Sequence, residues 1–273
     1  MPNSQIAPSF ATFFSIAFVV PWVGWSLLSF GAVSTNSPFA YPLFLSGVAC
    51  SIAGVVATFV DQGWRGVGQC LFSAAKIWAP LRWWLYVLFV PIVWQLSAAL
   101  LFLNFTNASL LIKPQALLDL ASPGLLATFL VGPLGEEFGW RGFLLPRLVP
   151  KFGEMVACFI VGIIWGVWHW PLYLDRIVES TTWAWYFLGT VTTMSFLIGV
   201  VYLRTKSLFL AMVLHWNINS VQKVMHGLVP SLPLADPDLL RWCKLGMIVL
   251  IAVFTISALA AAGRDRHSGA GSG

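Results

Sequence analysis

Six polar residues stand in segments that are otherwise apolar: Glu136, Glu137, Arg141, His169, His215 and Asn219. No charge occurs from Leu120 to Gly135, and the two acids and Arg141 run on into Gly142-Phe143-Leu144-Leu145. A carboxylate placed in hydrocarbon costs at least ~2.5 kcal/mol on insertion scales, so an adjacent pair there marks a functional site. Glu137 precedes Arg141 by four residues, the favourable acid-first spacing on a helix. Neighbouring helical residues point about 100° apart. If Glu137 and Arg141 satisfy one another, Glu136 is therefore the carboxylate left for chemistry. The plainer alternative is a buried structural ion pair with one spare acid. His215 and Asn219, also four apart, share a helix face. A carboxylate and two imidazoles suit a general base that activates water, with donors to hold an oxyanion. The set Glu136, His169 and His215 is also able to ligate zinc and leave a fourth position for water. No HExxH stands in the chain, and a metal-free site is the favoured reading.

The elements that carry these residues read as membrane spans. A helix needs about 20 apolar residues to cross ~30 Å of hydrocarbon, and such windows recur near 9–30, 39–60, 84–103, 121–140, 154–174, 183–203, 207–225 and 241–262. The fold class expected is an all-α polytopic membrane protein, a bundle of about eight transmembrane helices with the active site inside the bundle. It forms one domain over 1–262, with a motif-bearing core at about 121–225 and a disordered cytoplasmic tail at 263–273. The segment 61–83 carries Arg65, Lys76 and Arg82 beside Trp64, Phe72, Ile77 and Trp78, and reads as amphipathic at the interface. Pro150 and Gly153 mark a turn between spans four and five. Glu136 and His169 lie at similar distances on either side of it, so an antiparallel hairpin brings them to similar depth, with a kink expected at Pro146. With both termini inside, the inner segments hold Arg65, Lys76, Arg82, Arg141, Arg147, Lys151, Arg204, Lys206, Arg264 and Arg266, and the outer segments only Lys113, Arg176, Lys223, Arg241 and Lys244. The positive-inside rule thus makes both termini cytoplasmic and implies cytosolic access to the site.

The three motifs, Glu136-Glu137-x-x-x-Arg141, aromatic-x-x-x-His169 and His215-x-x-x-Asn219, resemble those of the CAAX prenyl protease and bacteriocin-processing (CPBP) family of intramembrane endopeptidases, of the type II CAAX protease kind. The order matches, and each motif falls in its own helix. One departure is Trp165, where the family usually has Phe. The resemblance implies hydrolysis of a peptide bond by water activated at Glu136 and His169. Glu137 and Arg141 would set the position and charge of the pair, and His215 with Asn219 would form the oxyanion hole. It implies as partners a membrane protein or lipidated peptide as substrate, and the lipid bilayer.

Composition narrows the other classes. Of 273 residues, 59% are hydrophobic and 9% charged, against about 25% charged in a soluble domain; the mean hydropathy is +0.84. The net charge of +5 is scattered at span ends rather than gathered on a stripe, which argues against nucleic acid. Four separated cysteines give no disulfide framework. A non-enzymatic immunity or scaffold factor on the same fold has no need for six buried polar positions. A transporter with a Glu/His proton relay commonly shows inverted repeats, and none is evident. A multi-pass protein of a bacterial cytoplasmic membrane, rather than of the endoplasmic reticulum, is the expected localisation.

Overall fold

The helices follow the apolar windows, and the places where they break are set by Gly and Pro. The computed structural model describes residues 8–108 and 111–269. Helix α1 spans Pro8–Ser29. The short α2 (Ala40–Phe44) and a 3₁₀ turn lead into α3 (Ala49–Ala75), and α4 runs over Leu81–Phe105. Next come α5 (Pro123–Val131), α6 (Pro133–Glu137), a π-helical segment (Phe138–Leu144) and α7 (Leu145–Phe152). Helix α8 (Glu154–Trp168) bends by 52° into a 3₁₀ turn and α9 (Leu174–Glu179). The chain continues with α10 (Thr181–Thr205), α11 (Leu208–Leu228), α12 (Ser231–Ala235) and α13 (Pro237–Gly269). All regular structure among the described residues is helical, as expected of a polytopic membrane protein.

Among the described residues, five helices are long and apolar enough to cross a membrane, or six if the bent pair α8–α9 is one span. Their outward faces are apolar: Val19, Phe89, Val93, Leu250 and Phe254 are exposed. A face of that kind suits acyl chains, and the chain is an integral membrane protein. Two of the eight windows depart from a simple span. The fourth is divided at Gly132, which caps α5 and precedes Pro133 at the start of α6. Helix α11 falls outside the apolar set because it carries His215, Asn217, Asn219, Gln222 and Lys223.

Three local expectations need correcting. The segment 61–83 is not one element: α3 runs on to Ala75 across a break, and Arg82 belongs to α4. The break inside α3 comes at Gly63, whose φ of 61° suits glycine alone; beyond it Gly66, Val67 and Cys70 are buried while Trp64 and Phe72 are exposed. The irregularity expected at Pro146 comes just before it, in the π segment, where the Leu145 N–H reaches back to the Trp140 carbonyl. The tail is helical as far as Gly269, continued by the strong helix former Ala at 260–262, while 270–273 lie outside the described residues.

The core is aromatic. Trp140 meets Phe13 and Trp168 edge-on, at 5.7 and 5.6 Å between ring centres. Small residues let helices close around it. A Cβ on Gly54 would stand 2.4 Å from the Phe138 carbonyl, and one on Gly139 would stand 2.5 Å from the Cys50 carbonyl. Backbone thus lies on backbone where α3 crosses the π segment, the usual way membrane helices approach closely. Helices α10 and α11 start at Ser180 and Ser207, whose side chains accept the N–H of Trp183 and Leu210.

Candidate active site

The two acids stand at the end of α6, where the helix widens into π geometry. Such wide turns occur often at functional sites. Their side chains part company there. Glu137 is wholly buried behind the wall of the central cavity, and its Oε1 accepts from Arg141 Nη1 at 2.9 Å and from His215 Nδ1 at 2.7 Å. Arg141 also reaches the Ser195 carbonyl of α10 at 3.3 Å and lies 5.0 Å from the Trp165 ring. Glu136, in contrast, lines the cavity, with Trp165 Nε1 donating to its Oε2 at 2.6 Å. The division between a paired and an available carboxylate is the one expected from the spacing.

The cavity, about 600 Å³, is lined by Glu136, His169, His215 and Asn219 together. Trp25, Trp165, Trp168, Tyr173 and Phe187 supply much of the rest of its wall. Glu136 and His169 meet there as the hairpin argument requires, across the Gly153 turn (φ 76°) between α7 and α8. His169 Nδ1 donates to the Trp165 carbonyl at 2.9 Å, which fixes the tautomer and leaves Nε2 with the lone pair. His215 Nδ1 donates to Glu137, so its Nε2 accepts in the neutral ring and donates in the imidazolium.

Sequence reasoning left out three features of this site. The Glu137–His215 bond joins two motifs 78 residues apart, which no local spacing reveals. Trp165 appeared only as a packing variant of Phe, although its indole N–H is a donor that Phe lacks. Gly132 leaves open a point on the cavity wall: a methyl there would sit 3.4 Å from Asn219 Nδ2 and 4.0 Å from Glu136 Oε1. The Gly132-Pro133 pair ahead of the acids was a usable signal for it.

The position of the cavity along the bundle bears on the access expected from the charge count. It is built from the C-terminal halves of α1, α8 and α11, the start of α10 and the segment leading into α3, with Arg176 and Lys223 at its edge. The opposite end of the bundle holds Arg147 paired with Asp61 at 2.7 Å, Glu154 paired with Arg204 at 2.7 Å, and Lys76 Nζ on the Thr205 carbonyl. The cavity and the Lys151 turn thus lie toward opposite ends of the bundle.

The donor set bears on the zinc alternative. Among the described residues no three His, Cys, Asp or Glu side chains are grouped so as to hold a metal ion. Nδ1 of His169 and of His215 is taken by an oxygen acceptor and one oxygen of Glu136 by Trp165, which leaves both Nε2 atoms and the second carboxylate oxygen with lone pairs, a pattern that metal-ligating and metal-free histidines share.

Comparison with known proteins places this constellation in a class. Residues 119–221 match the family model described as type II CAAX prenyl endopeptidase Rce1-like, which bears out the resemblance read from the three motifs. Among curated proteins, the chain is 31% identical over 98 residues to CAAX prenyl protease 2 of Methanococcus maripaludis. That alignment takes in 33% of this chain and 36% of the relative, so the chain matches about a third of the relative's length.

Proposed function

We propose that the protein is an intramembrane endopeptidase of the CAAX type, hydrolysing a peptide bond of a membrane-associated substrate, such as a lipidated peptide. The observation that carries this reading is the convergence of Glu136, His169, His215 and Asn219 on one cavity inside an apolar bundle. In this reading Glu136, through the oxygen not held by Trp165, takes one proton of the attacking water, His169 Nε2 accepts a hydrogen bond from the other, and the Glu136 carboxylic acid then passes its proton to the departing amine. Asn219 Nδ2 and the Nε2–H of a protonated His215 receive the charge that develops on the scissile carbonyl oxygen. Glu137 and Arg141 do not touch substrate; Glu137 holds His215 by Nδ1, and Arg141 balances the buried carboxylate. Aromatic cavity walls favour an apolar or lipidated segment beside the scissile bond. In this reading the reaction needs no metal; the chain carries no HExxH.

Orientation follows from charge. The end carrying Lys76, Arg147, Lys151, Arg204 and Lys206 faces the cytoplasm of a bacterial membrane, and the cavity opens toward the other face. The central experiment compares cleavage-site profiles of membranes containing wild type and Glu136→Ala. Peptide ends present only with wild type support the reading, and identical profiles refute it. Metal content accompanies the assay. Zinc below one equivalent, with turnover surviving prolonged chelation, is expected; stoichiometric zinc lost in His215→Ala, with activity restored only by metal, refutes the metal-free mechanism.

A further inference from the structure

A second cavity, about 900 Å³, lies between α4 and α13, on walls that share no residue with the catalytic cavity. The helices are antiparallel across it. Tyr86 Oη meets Thr255 Oγ1 at 3.1 Å, and Trp94 Nε1 donates to the Lys244 carbonyl at 2.7 Å, so rising numbers on α4 meet falling numbers on α13. The α4 wall passes through Arg82, Tyr86, Phe89 and Val93, successive turns of one helix face. At 1.5 Å per residue, the path from Arg82 to Val93 is about 16 Å. That is close to half of a ~30 Å hydrocarbon core. The groove has the length of one leaflet.

Its two ends differ chemically. The deep end, at Val93 and Leu250, is wholly apolar. The shallow end, at Leu259, carries Arg82 and Arg204, and Lys76 Nζ rests on the carbonyl of neighbouring Thr205. Arg204 is paired on one side with Glu154, the one acid that meets a cation at this end of the groove among the described residues. Arg82 is exposed and has no acidic partner among those residues. Unpaired guanidinium over an apolar trough is the arrangement that takes a phosphate with chains attached.

We infer that the α4–α13 groove is a binding site for one anionic phospholipid of the leaflet at the basic end, its phosphate on Arg82 and Arg204 and an acyl chain against Phe89, Val93 and Phe254. Bulk lipid solvates any convex apolar face. This face is concave, and the Tyr86–Thr255 hydroxyl pair, closed on itself and on the Ile251 carbonyl, ties its two walls together partway down.

Native mass spectrometry of the detergent-purified chain tests the site with phosphatidylglycerol and phosphatidylcholine of identical acyl chains. Phosphatidylglycerol is expected to be retained preferentially. Arg82→Gln is expected to weaken its retention about five-fold, the effect of one basic residue near a membrane surface, and to leave phosphatidylcholine unchanged. Ala258→Trp, which fills the trough, is expected to reduce retention of both. Thermal stability in detergent shows that each variant is folded. Equal retention of the two lipids, or retention indifferent to Arg82→Gln, overturns the headgroup assignment. Phosphatidylglycerol binding that survives Ala258→Trp in a folded protein overturns the groove. Competition by inorganic phosphate as effective as that by the lipid reduces the site to a surface charge patch.

Discussion

The two adjacent acids offer the sharpest test, because substitutions of the same size should do opposite things. Glu137 is fully buried and its Oε1 is shared between Arg141 at 2.9 Å and His215 at 2.7 Å. Glu137→Gln keeps the shape and removes the charge, leaving a buried guanidinium whose other contact is a long bond to the Ser195 carbonyl, 3.3 Å. An uncompensated buried charge of this kind costs about 3–5 kcal/mol. Scaled at about 2–4 °C per kcal/mol, the midpoint should fall by roughly 6–20 °C. Glu136→Gln differs. The amide oxygen still accepts from Trp165 Nε1, so the midpoint should stay within a few degrees while turnover falls by ~10²–10⁴ through loss of the base. The pair is read by thermal unfolding in detergent alongside turnover on a quenched fluorescent peptide. Adding Arg141→Met to Glu137→Gln should restore part of the lost stability, since it removes the orphaned charge. Equal midpoints for the two single variants, or no recovery in the double, would falsify the division of roles.

Trp165→Phe removes the donor to Glu136 but keeps a ring beside Arg141, so kcat should fall about ten-fold with KM and melting midpoint little changed, given ~1.5–3 kcal/mol for a hydrogen bond to a charged group; an unchanged kcat refutes a role for that N–H. Asn219→Ala should lower kcat by ~10²–10³ without raising KM, the cost of one oxyanion donor, and an effect confined to KM refutes that role. Gly54→Ala should destabilise by about 1–3 kcal/mol, because its methyl meets the Phe138 carbonyl at 2.4 Å; a stability equal to wild type in detergent would show that α3 and the π segment have room to part. For orientation, a cysteine at 223 should react with an impermeant maleimide added to intact cells, and one at 151 only after permeabilisation; the reverse pattern places the cavity mouth in the cytoplasm.

Much of the site was legible because burying charge in hydrocarbon leaves few bland explanations. The i,i+4 spacing gave the Glu137–Arg141 pair, and equal distances from the Gly153 turn gave the meeting of Glu136 with His169. Partners chosen by tertiary packing were beyond reach. His215 turned out to hold Glu137 from another helix, and Trp165 to hold Glu136 through an atom that the resemblance to Phe conceals. The helix breaks were half visible. Pro146 drew attention as a kink and directly follows the π segment, whereas Gly132 and Gly63 divide their helices. A hydropathy window averages over such points, so it gives a span's length without its continuity. The charge count identified one end of the bundle as basic and had no means of telling how deep along the helices the site lay.

The π segment Phe138–Leu144 ties the length of the chain to the function of the acids. Such a stretch holds a residue more per turn than an α-helix would. Deleting one residue between Trp140 and Leu144 would let the segment close to α geometry with its flanks still in register, whereas a deletion in the α-helical turns beside it, with no wide turn to absorb it, rotates the remainder of the helix by about 100°. Arg147, which anchors α7 to Asp61, would then be swung off its partner, or Glu136 and Glu137 off theirs. The wide turn is thus a slack point in this helix, where the loss of one residue need not part either end from its partners.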